Sequence, residues 1–219
     1  MNDDAKRLAG QREEDRVYEA VSKIKGVKVY RNLYVPYGRA GQTAEIDLVL
    51  LCNRGAFILE VKSYAGIVSG SQQRYEWAIN YKPPGAREKK VTKVYSPIRQ
   101  LRRQQEILGR YLCVSDKHIN GLVVFSDRAT LKKVPARSDS GIAVLQTRFV
   151  ASHIRRSLAN RKPCFSPTEL RRIAQRLDAA SNATAAVKRR HSIQAHQAER
   201  ARKAEQERRA EQRRRSRKT

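Results

Sequence analysis

Hydrophobic side chains recur with two periods along this chain, and each change of period marks an element. Leu8, Val17, Tyr18, Val21 and Ile24 keep helical spacing until Gly26, so residues 1–25 predict a helix. Residues 27–35 form a β-rich run that stops at Pro36, and residues 37–42 are a loop by their glycines. Two dense apolar runs follow, 45–52 and 55–61, with only Asn53 and Arg54 between them. That is a hairpin signature. Residues 67–70 and 75–81 predict further strands, and Lys82-Pro83-Pro84-Gly85 interrupts the sheet before a basic loop at 87–93. Ser96 and Pro97 read as cap and first-turn proline of a helix over 97–111. Residues 119–125 and 142–145 predict buried strands. Thr147 reads as the cap of a helix to Leu158, and Ser166-Pro167-Thr168-Glu169 as the capping box of a helix to about Ala180. This order predicts an α/β domain with a mixed central sheet over residues 1–180.

Beyond Ala183 the periodicity disappears. The tail, 181–219, is built from Ala, Glu, Gln, Lys and Arg, with Ile193 almost its only large apolar residue. These are helix formers without an apolar stripe, which predicts a solvated helix or a partly disordered basic arm.

Charge sharpens the picture. The 219 residues carry 47 Lys and Arg against 21 Asp and Glu, a net of +26. The tail supplies 13 basic and 4 acidic residues, residues 1–50 are nearly balanced at 9 against 8, and residues 51–180 carry 25 against 9. A body this basic repels itself unless a polyanion neutralises it, with nucleic acid ahead of an anionic membrane surface as partner. No stretch approaches the ~20 apolar residues that span a bilayer, and the start lacks the apolar core of a signal peptide. Cys52, Cys113 and Cys164 have neither zinc spacing nor a disulfide framework. A cytoplasmic protein is expected. His118, His153, His191 and His196 read as ordinary surface residues.

The two most apolar strands nevertheless contain ionisable residues: Asp47 in the first, Glu60 and Lys62 in the second. Burying one charge costs several kcal/mol unless it is paired or binds metal. A two- or four-residue turn at Asn53-Arg54 sets Asp47 opposite Glu60 and Glu45 opposite Lys62, with all four on one face. Opposed carboxylates repel. A divalent cation held by both reverses that repulsion, and hard oxygen ligands suit Mg²⁺ or Mn²⁺. Lys62 would then hold the attacking water or stabilise charge on a phosphate. The competing reading is a plain Glu45–Lys62 ion pair with Asp47 at an edge. Lys89, Lys90 and Lys93, with Arg87, make a phosphate-contacting loop or a solvated one. Tyr75, Trp77 and Tyr81 read as packing residues.

These residues resemble the NERD (nuclease-related) domain, a family similar to the PD-(D/E)xK phosphodiesterases. The likeness rests on Glu45 to Leu50 and Gly55 to Gly66, and extends to Gly10, Glu13, Glu14 and Val17, Trp77, Ser96-Pro97 with Gln100, and Gly121 to Ser126. It covers about residues 8–160. The resemblance implies a restriction-endonuclease-like fold and a metal-dependent nuclease, with DNA ahead of RNA as substrate. Asp47, Glu60 and the Val61 carbonyl would ligate Mg²⁺, Lys62 would serve the water or scissile phosphate, Glu14 would approach from the first helix, and Gln100 would line the site. A nuclease fold kept only for binding nucleic acid is the alternative.

Overall fold

The computed structural model describes residues 3–38, 41–82, 85, 88–138 and 141–215; Arg87 lies outside the described residues. Helix α1 (Asp3–Ser22) leads into β1 (Lys28–Tyr37), β2 (Gln42–Cys52) and β3 (Gly55–Lys62). Then come β4 (Gly66–Ser69), β5 (Glu76–Tyr81), β6 (Lys90–Tyr95) and α2 (Pro97–Leu112). Strands β7 (Ile119–Phe125), β8 (Ala129–Leu131) and β9 (Ala143–Gln146) precede α3 (Thr147–Ala159), α4 (Pro167–Ser181) and α5 (Ala185–Arg215).

The expected mixed central sheet is present, and a second sheet accompanies it. One runs β1-β2-β3-β7-β9, antiparallel as far as β3 and parallel beyond it; the other runs β6-β5-β4-β8. Two mixed sheets flanked by helices agree with the restriction-endonuclease-like fold. The edge strand of the second sheet is Lys90–Tyr95, which pairs with β5 although residues 87–93 are expected as loop. Lysines at a sheet edge discourage further strand addition.

Side chains alternating along β2 and β3 feed two cores. Val49, Leu51 and Ile58 face α2 and α4, against Leu101, Leu108 and Leu177. Leu48, Leu50, Phe57, Leu59 and Val61 face α1 and α3, against Val17, Val21 and Ile154. Each buried side chain is worth about 1.5–3 kcal/mol, so a one-residue slip, which inverts both faces, is excluded. The expected register follows, from Leu48 opposite Leu59 to Cys52 opposite Gly55. Trp77 packs as expected, stacked on Phe125 with centroids 6.1 Å apart. Helix α2 lies close over β7 because residue 121 is glycine: a Cβ there would stand 2.8 Å from Ile142 and 3.1 Å from Leu101.

The alternation fails at one place. Ile46 shares a core with Val49 and Leu51, not with Leu48 and Leu50. On β1, Tyr30 and Leu33 share a core although three residues apart. The β1–β2 ladder pairs Arg31 with Leu48 and Leu33 with Ile46, and leaves Asn32 and Asp47 between them unpaired. Asn32 has φ 51°, the left-handed region that asparagine tolerates better than most residues. The two strands therefore switch faces together at Asn32 and Asp47.

The capping box of α4 is present, with Ser166 accepting from the Glu169 amide. The cap assigned to Thr147 is not: Gln146 holds that position, without a side-chain bond. The Thr147 hydroxyl instead donates to buried Glu13, 2.5 Å away, and so ties α3 to α1.

Candidate active site

Strand β3 ends in the buried Glu60 and the mostly buried Lys62, which share the face beneath α2. Lys62 Nζ lies 2.5 Å from Glu60 Oε1 and also donates to Gln100 Oε1 at 3.2 Å. Gln100 Nε2 donates to the same Glu60 oxygen at 2.7 Å. Gln104, one turn further along α2, donates from Nε2 to Glu60 Oε2 at 2.8 Å and to the Glu45 carbonyl at 2.9 Å. Glu60 is buried because three donors surround it, each charge-assisted bond contributing about 1.5–3 kcal/mol.

Asp47 reaches this group by another route. Strands β2 and β3 part beyond Leu48 and Leu59, so Asp47 does not pair with Glu60 across a ladder. Its Oδ2 instead accepts the Val61 amide at 2.7 Å. The Asn32 kink makes this possible, because it turns Asp47 out of the regular pleat toward β3. Lys62 offers its carbonyl to Ser126 on the β7 side at 2.8 Å. Peptide groups of successive residues leave opposite edges of a strand, so Val61 presents both amide and carbonyl on the Asp47 side.

The electrostatics are strained. Burial, then the Glu60 charge, push the Asp47 carboxyl well above its ordinary value, against Lys62 and the Val61 amide and with help from Glu14. Burial disfavours the Lys62 ammonium, but Glu60, Tyr64 and Asp47 outweigh it and hold Lys62 above its ordinary value. Glu14, half-buried on α1, is raised by burial and by Glu45, with Glu60 adding to the effect and Arg31 opposing it. The chain thus brings Glu14, Asp47, Glu60, Lys62 and Gln100 into one electrostatic group.

Three expectations need correction. Glu45 does not pair with Lys62: it turns outward, accepts the Tyr34 hydroxyl at 2.8 Å, and lies 3.4 Å from His191 Nε2. The face switch at Asp47 is the reason, since Glu45 lies beyond it. His191 is accordingly no ordinary surface histidine. Nor is the tail free of packing: its first turns rest on the β1–β2 hairpin through His191 and through Lys188 over the Tyr34 ring. Lys89, Lys90 and Lys93 are exposed at the outer sheet's edge, where Lys93 pairs with Glu76 at 3.8 Å.

Gln104 and Asn32 are the contributors that sequence reasoning passed over. Gln104 had a signal, its four-residue spacing from Gln100 on a helix, which puts both on one face. Asn32 had none, because an asparagine inside a strand-like run reads as an ordinary polar position.

The fold and this buried cluster define a nuclease-like α/β domain. A family model described as NERD, nuclease-related domain, matches residues 9–126, more than half of the chain. The chain belongs to that family. The match runs from α1 through β7 and includes every residue of the cluster, while α3 to α5 lie outside it. Comparisons with curated proteins and with solved structures returned no match. Family membership makes the domain nuclease-related and points to nucleic acid as its partner. Among the described residues, no helix is long and apolar enough to cross a membrane.

Proposed function

We propose that this protein hydrolyses phosphodiester bonds of cytoplasmic nucleic acid, DNA in preference to RNA, using Mg²⁺ or Mn²⁺ at the corner between Asp47 and Glu60. The observation that carries the proposal is the cluster itself. Two carboxylates and a lysine converge at the end of one strand, and burial and Glu60 leave Asp47 short of compensating positive charge.

The residues present fit a hard divalent cation. Among the described residues, no three His, Cys, Asp or Glu side chains gather to hold a metal by themselves. The available set is one oxygen of Asp47, the Val61 carbonyl and the remaining lone pair of Glu60, all hard donors. Mg²⁺ suits such a partial set because it keeps several waters. Gln104 Oε1, buried and without a hydrogen-bond partner, is an acceptor of the kind a bound water satisfies. When bound, the cation would supply charge stabilisation at the phosphate and an acidified water.

The chain's own groups do the rest. Lys62, held charged beside Glu60, steadies negative charge on the scissile phosphate and does not act as a base. Gln100 bonds both Lys62 and Glu60 and fixes their relative position. Glu14, the half-buried α1 carboxyl that burial and Glu45 raise with Glu60 adding to the effect, would take a proton from water. Arg103 donates to the Tyr37 hydroxyl at 3.2 Å and begins a basic rim that favours a polyanion. Lys89, Lys90 and Lys93 would add sequence-independent phosphate contacts further out.

The test is incubation of linear, nicked and supercoiled DNA, and of RNA, with protein and Mg²⁺ or Mn²⁺, beside Asp47→Ala and Lys62→Ala. Metal-dependent cleavage lost in both variants supports the proposal. Binding without cleavage by wild type replaces it with the binding-module reading.

A further inference from the structure

The root of α5 is fastened to the same hairpin that carries Asp47. His191 is the fastening. Its Nδ1 lies 2.9 Å from the Thr43 carbonyl, and its Nε2 lies 3.4 Å from Glu45 Oε2. Nδ1 also lies 3.1 Å from the Thr43 hydroxyl, so the ring meets Thr43 twice on one side and Glu45 on the other. The Tyr34 ring meets the imidazole edge-on at 5.3 Å, and Lys188 stands 6.0 Å above the same tyrosine. A Cβ at Gly41 would meet the Arg190 guanidinium at 2.5 Å, so Gly41 also sits close against α5. Glu45, the residue fastened by α5, also supplies the carbonyl that holds Gln104 over Glu60.

Beyond this contact Ile193 is the only large apolar residue in the sequence of the helix. Ile193 is 54% exposed, and residues 181–219 contain 13 basic side chains against 4 acidic. At about 100° per residue, Arg189 and Arg200 fall within about 20° of each other and about 160–180° from His191. With His191 turned to the hairpin, both arginines are exposed to solvent.

We propose that α5 is a nucleic-acid-binding arm latched to the active-site hairpin by His191, so that its free basic face tracks the phosphate backbone leading to the carboxylate cluster. This deepens the nuclease reading by naming the surface that holds the substrate. A solvated tail would need no defined contacts at its root, whereas an arm that guides a strand has to leave the body at a fixed angle. Charge complementarity selects the partner: a regular, unbranched polyanion matches a long helix with repeated cations and no apolar stripe.

The experiment uses the full chain and a 30-base-pair duplex in EDTA, so that binding is read without turnover. Affinity is measured by fluorescence anisotropy across a salt series. Arg189→Gln with Arg200→Gln and Arg208→Gln is expected to weaken binding at least tenfold at 0.1 M salt. It should reduce the slope of log K against log salt by up to about 3, since each lost phosphate contact removes about 0.9. His191→Ala keeps the arm's cations but frees its root. A photo-cross-linker at Gln197 should then attach over a broad stretch of duplex instead of a narrow one. Unchanged affinity and slope in the triple variant would overturn the proposal. So would an effect confined to vesicles containing anionic lipid, which would make α5 a membrane-surface element. Arm-dependent duplex binding with no cleavage under Mg²⁺ would sustain the arm and refute the nuclease reading, so the two fail separately.

Discussion

Replacing Asn32 by valine tests how the backbone builds the site. Asn32 sits at φ 51° opposite Asp47, where β1 and β2 switch faces together. A β-branched residue in that conformation costs about 1–3 kcal/mol more than a tolerant one. For a chain of this length that lowers the melting temperature by about 2–12 °C. The strain has a specific outlet. If the kink relaxes into regular pleat, Asp47 returns to the ladder and releases the Val61 amide, now 2.7 Å from its carboxylate. Hydrogen exchange at the Val61 amide should therefore accelerate, while exchange at the Leu50 amide on the paired stretch of β2 changes less. Glycine adopts positive φ freely, so Asn32→Gly should remain within about 1 kcal/mol of wild type and keep Val61 protected. The assay is thermal unfolding combined with residue-resolved exchange on all three proteins. Equal melting of Asn32→Val and wild type, with Val61 equally protected, would refute the reasoning.

Further expectations concern the network around the site. Gln104→Leu removes a donor to buried Glu60 and to the Glu45 carbonyl, and should cost about 2–4 kcal/mol in denaturant unfolding for two lost bonds. Thr147→Val removes the hydroxyl donor to the buried Glu13 carboxylate, leaving it among the described residues the Arg16 contact at 3.4 Å, and should cost about 1–3 kcal/mol. Gly70→Ala forces a Cβ to within 2.3 Å of Trp77 and should destabilise by about 1–3 kcal/mol through overpacking. The α5 latch should depend on pH in both directions. Its bond to Glu45 raises His191 above 6.5, so the latch is complete below that value and lost as pH rises through the raised one. His191 lowers Glu45 below 4.5, so the latch is complete above that value and lost as pH falls through the lowered one. A nitroxide at position 197 should be least mobile between pH 4.5 and 6.5 and gain mobility toward strong acid and toward alkali; constant mobility across the whole range over which the fold persists would contradict the assignment.

The hairpin was the most legible part of the chain. Its apolar runs had to be buried on both faces, which fixed the register, and its carboxylates stood out because charged side chains are rare inside such apolar strands. Helix α2 followed from Ser96, Pro97 and the spacing of Ile98, Leu101 and Leu108, and it carried Gln100 to the site. What escaped was whatever breaks a period. Strict alternation put Glu45 and Lys62 on one face, but a single asparagine with positive φ moved Glu45 to the other side of a kink. Strand β6 was missed because Lys90-Val91-Thr92-Lys93 is exposed, and an edge strand needs no apolar face. The root of α5 was missed for a related reason: a latch made of one histidine, one carboxylate and one carbonyl leaves no hydrophobic trace.

The most direct measurement of the central claim is Mn²⁺ binding followed by electron paramagnetic resonance on wild type, Asp47→Asn and Asn32→Val. A cation held at the Asp47–Glu60 corner predicts one tight site in wild type, none in Asp47→Asn, and a weakened one in Asn32→Val, where the carboxylate is intact but misplaced. Equal Mn²⁺ binding by wild type and Asp47→Asn would contradict the account.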